Sequence, residues 1–196
     1  MDRAYIFLAD GFEDIEALAT RDTLIRAGVE VVLTAAGDEP FITSSHGLTV
    51  SADALLEEIS LDSSDVMVFP GGMPGSRNLA GNRQLIKLMQ AHYGAGGTVA
   101  AICAAPGLVL SQLPLPKGIP VTCFDGFEEA LVAKGAHFVR KPAVSSGTGA
   151  EGSGGARVIT GRSAGYSIPF ALEIASAIKG REAAGKAASG LLLPVE

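Results

Sequence analysis

Short apolar runs alternate with stretches of helical periodicity along the chain. The unbroken apolar run over 5–9 predicts a buried strand, and the pattern over 13–27 predicts a helix closed by Gly28. A second strand follows over 29–35, and 41–50, with Gly47 inside it, suits a pair of short antiparallel strands at an edge. Residues 55–59 predict a helical turn or two, and 66–69 a strand stopped by Pro70, Gly71 and Gly72. A helix is predicted over 78–93. The strand over 98–102 runs directly into Cys103, and a helix over 104–113 carries Pro106 in its first turn, where a missing N–H costs little. Later strands fall at 120–123, 137–141 and 157–160, and later helices at 127–133 and 166–178. Alternation of this kind with short connections predicts an α/β fold, a mostly parallel sheet with helices on both faces. There is no internal repeat or linker, so 1–196 reads as a single domain. The Gly/Ser-rich stretch 145–155 lacks the Gly-Lys-Ser/Thr ending of a P-loop and reads as a flexible hairpin tip.

Composition narrows the picture. Hydrophobic residues make up 47% and aromatics 6%, with no Trp and 25 Gly, which points to a core of Ala, Val, Ile and Leu with many tight turns. A net charge of -6 repels phosphate backbones and argues against nucleic acid as a partner. Cys103 and Cys123 have no metal-ligand spacing and form no disulfide framework, so they read as cytosolic thiols. The opening residues do not form a signal peptide, and no apolar stretch is long enough to cross a membrane, so a cytoplasmic location is expected. Leu191, Leu192, Leu193, Pro194 and Val195 form an apolar tail expected to dock on the body or on a partner subunit.

The candidate chemistry lies at three strand ends. In open parallel sheets, sites form beyond the carboxyl ends of the strands. The first strand leads into Asp10-Gly11-Phe12-Glu13-Asp14-Ile15-Glu16, another into Pro70-Gly71-Gly72, and the next into Cys103-Ala104-Ala105-Pro106. If these strands are parallel, an acid, a glycine turn and a thiol share one rim. A residue at such a strand-to-helix bend is held outward, and the N–H groups of the next helix favour thiolate. The plainer alternative is that Cys103 is a small hydrophobe ending a strand. Glu13 and Asp14 suit the first turn of a helix as dipole partners, whereas Glu16, with apolar neighbours Ile15, Ala17 and Leu18, is a candidate for a buried carboxyl with a raised pKa. Gly71 and Gly72 are first a turn, and secondly a source of backbone N–H for an oxyanion. His92 is expected to be solvated at a helix end, His137 to be structural, and Cys123 to be a spare thiol.

Taken together, Ala9 to Glu16, Phe69-Pro70-Gly71-Gly72 and Ala100 to Pro106 resemble the ThiJ/PfpI superfamily, and within it the parkinsonism-associated protein deglycase branch. The resemblance runs over nearly the whole chain, including Thr160-Gly161-Arg162 and the Leu-rich end. It implies a flavodoxin-like three-layer sandwich of the class I glutamine amidotransferase-like kind, and a homodimer built on the first long helix and the edge hairpin. It also implies a reactive, easily oxidised Cys103, a protonated Glu16 beside it, and oxyanion N–H groups from Gly72 and Ala104. The implied activities are glyoxalase without glutathione, deglycation of dicarbonyl adducts, oxidative-stress sensing and chaperone-like protection, with no metal or other cofactor. Ala104 stands where the protease-like branch carries His, and there is no late His-x-Glu pair, which counts against a peptidase and a glutamine amidotransferase. Phe124, His46 and Ala164 stand where relatives often carry His, Arg and Pro, so a proton shuttle from that first His is absent.

The expected function is therefore a cysteine-dependent, cofactor-free glyoxalase III-type lyase or deglycase acting on small dicarbonyls or their adducts. The alternative is a non-enzymatic redox sensor or chaperone acting through oxidation of Cys103. Nothing in the chain resembles a thiazole or ATP site, which leaves a thiamin-biosynthetic role without support.

Overall fold

The structure, a computed structural model, describes residues 3–147 and 155–193. In chain order its elements are β1 (Arg3–Leu8), α1 (Asp14–Arg26), β2 (Glu30–Ala35), β3 (Phe41–Thr43), β4 (Thr49–Ser51), β5 (Ala54–Leu55), β6 (Val66–Phe69), α2 (Gly75–Gly81), α3 (Arg83–Gly94) and β7 (Thr98–Ile102). There follow α4 (Ala105–Leu108), β8 (Pro120–Val121), α5 (Glu129–Ala133), β9 (His137–Phe138), β10 (Ala143–Gly147), β11 (Arg157–Gly161), α6 (Ser167–Lys179) and α7 (Arg181–Gly190).

Seven strands form the main sheet in the order β10-β11-β7-β6-β1-β2-β5. Every pairing is parallel except β10 with β11. The central strands are buried on both faces, which is why they read as unbroken apolar runs. Alternate residues still separate by face. Ala4, Ile6 and Leu8 meet α1, α6 and α7 through Ala17, Leu24, Phe170, Ile174 and Ala187, whereas Tyr5 and Phe7 join Phe69, Leu79, Leu85 and Met89 on the other side. The rings of Phe7 and Phe69 stack at 5.3 Å. The predicted α/β sandwich is thus the observed fold. β1 has β2 on one side and β6 on the other, so the connection direction reverses between β1 and β6. The crevice at that reversal lies where β1 leads towards Glu16 and β6 towards Gly71.

Several elements differ from the sequence reading. The helix predicted over 78–93 is two helices, because Asn82 leaves helical geometry (φ -77, ψ 100) and caps α3 by accepting the Leu85 N–H. The helix predicted over 104–113 is only the four-residue α4, followed by a 3-10 turn over Leu110–Gln112. Residues 55–59 hold β5 and a 3-10 turn. The expected edge hairpin, β3 with β4, forms its own two-stranded sheet, and β8 with β9 forms another. The stretch read as a hairpin tip begins inside β10, and its residues 148–154 lie outside the described residues. Of the apolar tail, Leu192 is exposed, while Pro194 and Val195 fall outside the described residues.

Candidate active site at the strand reversal

Cys103 directly follows β7 with φ 65, the left-handed region that a non-glycine residue enters at a cost of order 1–3 kcal/mol. Two segments hold it there. Its N–H donates to Gly161 O at 3.0 Å, and its carbonyl accepts the Phe124 N–H at 2.8 Å. A Cβ on Gly161 would press on Ile102 and Phe170, so β11 reaches the bend only because that residue is glycine. Cys103 as a residue is partly exposed on this bend.

The three acids of the opening turn separate into three roles. Glu13 caps α1, its Oε2 accepting the Glu16 N–H at 2.7 Å. Asp14 turns to the hairpin, accepting from Ser44 Oγ at 2.7 Å and pairing with His46 Nδ1 at 2.6 Å. Glu16 turns inward and is 1% exposed. Its Oε2 accepts the Gly71 N–H at 2.7 Å, while Oε1 is buried with no hydrogen-bond partner among the described residues. The thiol of Cys103 is its side-chain neighbour, and a Cβ on Gly71 would strike both Glu16 Oε2 and Cys103.

Burial raises the Glu16 carboxyl to about 7, against the pull of the Cys103 and Gly71 hydrogen bonds, and the nearby Glu13 charge adds to the rise. Burial also pushes the Cys103 thiol up, as does the Glu16 charge, while the N–H groups of Ala104 and Gly72 act on the sulfur in the other direction. Two groups this close share protons as a pair. A neutral Glu16 carboxyl can donate its proton to the sulfur, and a thiolate at Cys103 has two further donors in the Ala104 and Gly72 N–H groups. The arrangement therefore suits a neutral carboxyl beside a nucleophilic sulfur. Here the sequence reading needs correction in one respect: α4 has four residues, so it brings main-chain N–H groups to the sulfur but little helix dipole.

Gly72 and Ala104, the expected oxyanion donors, both direct N–H groups at the sulfur. Gly71, read together with Gly72 as a turn and a source of N–H for an oxyanion, is instead the donor to Glu16. The close turn packing requires glycine, since a Cβ on Gly72, whose φ is +90, would strike Glu13 N and Gly11 O. His92 is buried rather than solvated, with Nε2 3.0 Å from Asp65 O, and burial lowers its pKa. It fits because Gly97 has no side chain to oppose its ring. His137 is exposed at the start of β9. Cys123 is fully buried, and burial raises its thiol to about 12, which fits a spare thiol. Glu13, Asp14 and His46 bring three possible metal-ligand atoms within 4.8 Å, but each already serves as a cap or as one half of the hairpin pair. No described helix is long and apolar enough to cross a membrane.

The model of the DJ-1/PfpI family matches residues 2–177. The chain belongs to the DJ-1/PfpI family. Among DJ-1 relatives, protein dj-1beta of Drosophila melanogaster is 30% identical over 97% of this chain and 96% of its own length. The crystal structure of that protein superposes with a TM-score of 0.85 at 29% identity, covering all of both chains. Oxidized DJ-1 of Toxoplasma gondii gives 0.87 at 27% identity, again covering both chains fully. The glutathione-independent glyoxalase DJR-1.2 of Caenorhabditis elegans is 28% identical over 87% of this chain and 84% of its own length. The fold and the family expected from the three DJ-1/PfpI motifs are therefore those observed.

Proposed function

We propose that the protein is a cysteine-dependent, cofactor-free glyoxalase, with deglycation following from removal of dicarbonyls or their early adducts. The observation that carries this reading is the buried Glu16 carboxyl, raised to about 7, beside the thiol of the partly exposed Cys103. A proton carrier with a pKa near neutrality is what an aldehyde-to-acid isomerisation needs. The Cys103 thiolate adds to the aldehyde carbon of a 2-oxoaldehyde, forming a C–S bond and a hemithioacetal oxyanion that faces the Gly72 and Ala104 N–H groups. Glu16 gives its proton to that oxyanion, then as a carboxylate takes the proton from the former aldehyde carbon and returns it to the neighbouring carbon by way of an enediol, leaving a 2-hydroxy thioester. Water releases the 2-hydroxy acid and restores the thiol, so the sum is dicarbonyl plus water to hydroxy acid. The glyoxalase name of the Caenorhabditis elegans relative supports the same chemistry.

The experiment is consumption of methylglyoxal by the purified chain. Cys103→Ala is expected to abolish it, and Glu16→Gln to lower kcat by about 100-fold or more while the thiol still reacts with iodoacetamide. Full activity in Cys103→Ala rejects the mechanism.

The same sulfur and donors support a second reading, a redox sensor in which Cys103 is oxidised to a sulfinate held by Glu16 and the main chain. Selective sulfinate at Cys103 after mild peroxide, with no dicarbonyl turnover, favours the sensor. For either role we propose a homodimer in the cytosol, a reducing compartment that suits the two free thiols, assembled through α1 and the β3–β4 hairpin, where Ile15, Ile25, Phe41 and Leu48 are exposed. Light scattering on the purified chain at twice the monomer mass is the expected result.

A further inference from the structure

The two segments that hold the bend at Cys103 are also tied to each other. Gly161 O accepts the Cys103 N–H at 3.0 Å, and Phe124 donates its N–H to the Cys103 carbonyl at 2.8 Å. The next residue on each segment closes the gap between them: Arg162 Nη2 donates to Asp125 Oδ1 at 2.8 Å. A closed circuit therefore runs from Cys103 N through Gly161, Arg162, Asp125 and Phe124 back to Cys103 O. The same segments meet once more in the interior, where Thr160 Oγ1 accepts the Thr122 N–H at 2.9 Å. Residues 161 and 124 are thus bracketed between a buried hydrogen bond and an ion pair.

Ion pairs in open water contribute little, because water competes for both charges. This one is shielded on its cationic side. The Arg162 side chain is 18% exposed, against 55% for Asp125. Its Nη1 is buried with no hydrogen-bond partner, and Asp125 is the carboxylate that balances its charge among the described residues. The Arg162 N–H donates to Pro142 O at 3.0 Å, which fixes the main chain from which the side chain reaches. Without Asp125 a half-shielded guanidinium is left uncompensated, and the two segments lose their outer tie. Arg140 also approaches Asp125, at 3.7 Å, but it belongs to neither holding segment and lies outside the circuit.

We infer that Arg162 and Asp125 are positioning residues for the reactive thiol: their ion pair holds Gly161 and Phe124 at the spacing that keeps Cys103 in its left-handed bend. The φ of 65 sets the direction in which the side chain leaves the main chain. Released from either side, Cys103 returns to the right-handed or extended regions that a residue with a Cβ prefers. The sulfur then turns away from Glu16 and from the Gly72 and Ala104 N–H groups. Neither Arg162 nor Asp125 takes part in bond making. For turnover the inference rests on the glyoxalase reading; for the reactivity of the thiol it does not.

The first test needs no turnover. Cys103 of the purified chain is alkylated by iodoacetamide: one C–S bond forms, iodide leaves and the thiol proton goes to solvent. The rate is read by mass spectrometry. Arg162→Met and Asp125→Ala are each expected to slow it by about three- to tenfold. The double variant is expected to be no slower than the slower single one, because all three lose the same contact. Arg162→Lys keeps the charge without the fork and is expected to recover part of the rate. Arg140→Ala is expected to keep the native rate. Urea unfolding is measured beside each rate, since a pair that only stabilises the fold would shift unfolding and leave alkylation of the folded chain unchanged. A native rate in Asp125→Ala overturns the inference, and so do losses that add up in the double variant. If Arg162→Met does not fold, Asp125→Ala and Arg162→Lys decide the matter between them. The second test is methylglyoxal turnover, in which kcat is expected to fall by the same factor as alkylation while KM stays native; a raised KM at native kcat would instead place the pair in substrate binding and overturn the positioning role. If alkylation follows this pattern but the native chain consumes no dicarbonyl, the glyoxalase reading fails and the positioning role stands. If dicarbonyl is consumed and the variants keep native kcat and native alkylation, the positioning role fails and the glyoxalase reading stands.

Discussion

Glu16 Oε2 accepts the Gly71 main-chain N–H at 2.7 Å, across 55 residues of sequence. That bond fixes the carboxyl against the turn after β6 and turns it to the thiol. It is possible only because position 71 has no side chain: a Cβ there would overlap the carboxylate and the Cys103 side chain. Gly71→Ala is therefore expected to displace Glu16 or the sulfur, costing about 1–3 kcal/mol of stability and slowing Cys103 alkylation by about tenfold or more. Urea unfolding and iodoacetamide labelling measure the two effects; an unperturbed alkylation rate would show that the turn yields without disturbing the pair.

The raised Glu16 carboxyl predicts a pH-dependent stability. Burial moves its pKa from the ordinary 4.5 to about 7 in the folded chain. The folded state then holds a proton that the unfolded state has released. Glu16's contribution is complete below 4.5 and is lost as pH rises through about 7, amounting to roughly 3 kcal/mol. His92 has the opposite sign, since burial lowers its pKa below 6.5 and its contribution is lost as pH falls. The measurement is therefore the difference between the native chain and Glu16→Gln in urea unfolding from pH 4.5 to 8. The slope assigned to Glu16 is expected to vanish in the variant, and the native alkylation profile of Cys103 to lose its inflection near 7.

The left-handed bend at Cys103 makes a third expectation. Alanine at this position keeps the strained φ of 65, whereas glycine adopts it freely. Cys103→Gly should unfold at higher urea than Cys103→Ala, by about 1 kcal/mol, although both lose the thiol. The reverse order would mean that the bend carries no strain.

Asn82 offers a test of a position remote from the sulfur. Its side chain accepts the Leu85 N–H at 3.0 Å and donates to Ala36 O at 2.7 Å, capping α3 and tying it to the end of β2. Asn82→Ala is expected to lose about 1–2 kcal/mol of stability while Cys103 alkylation keeps its native rate. A change in that rate would couple the α2–α3 break to the site.

Much of this arrangement is legible in the chain. The strand entering Cys103, the double glycine after Phe69 and the inward spacing of Glu16 all follow from local pattern, because buried parallel strands leave continuous apolar runs. What escapes is decided by contacts distant in sequence. The apolar period over 78–93 runs straight across Asn82, and only its bonds to Leu85 and Ala36 reveal the break. α7 buries little beyond Ala184 and Ala187, so it leaves no strong apolar stripe to read. His92 looks solvated until the Asp65 carbonyl and the side-chain-free Gly97 are seen beside it. Glu13, Asp14 and Glu16 look alike in sequence and part only when the hairpin, the cap and Gly71 each claim one.

The main-chain clasp on Cys103 has a consequence for how the chain matures. One half of it comes from Phe124 and the other from Gly161, near the end of the last strand added to the sheet. During synthesis the cysteine leaves the ribosome long before either. Until residue 161 joins, the Cys103 N–H lacks its partner and the bend is held from one side at most. The left-handed geometry around the sulfur is therefore a late trait of the polypeptide, completed only when the last strand docks on the sheet.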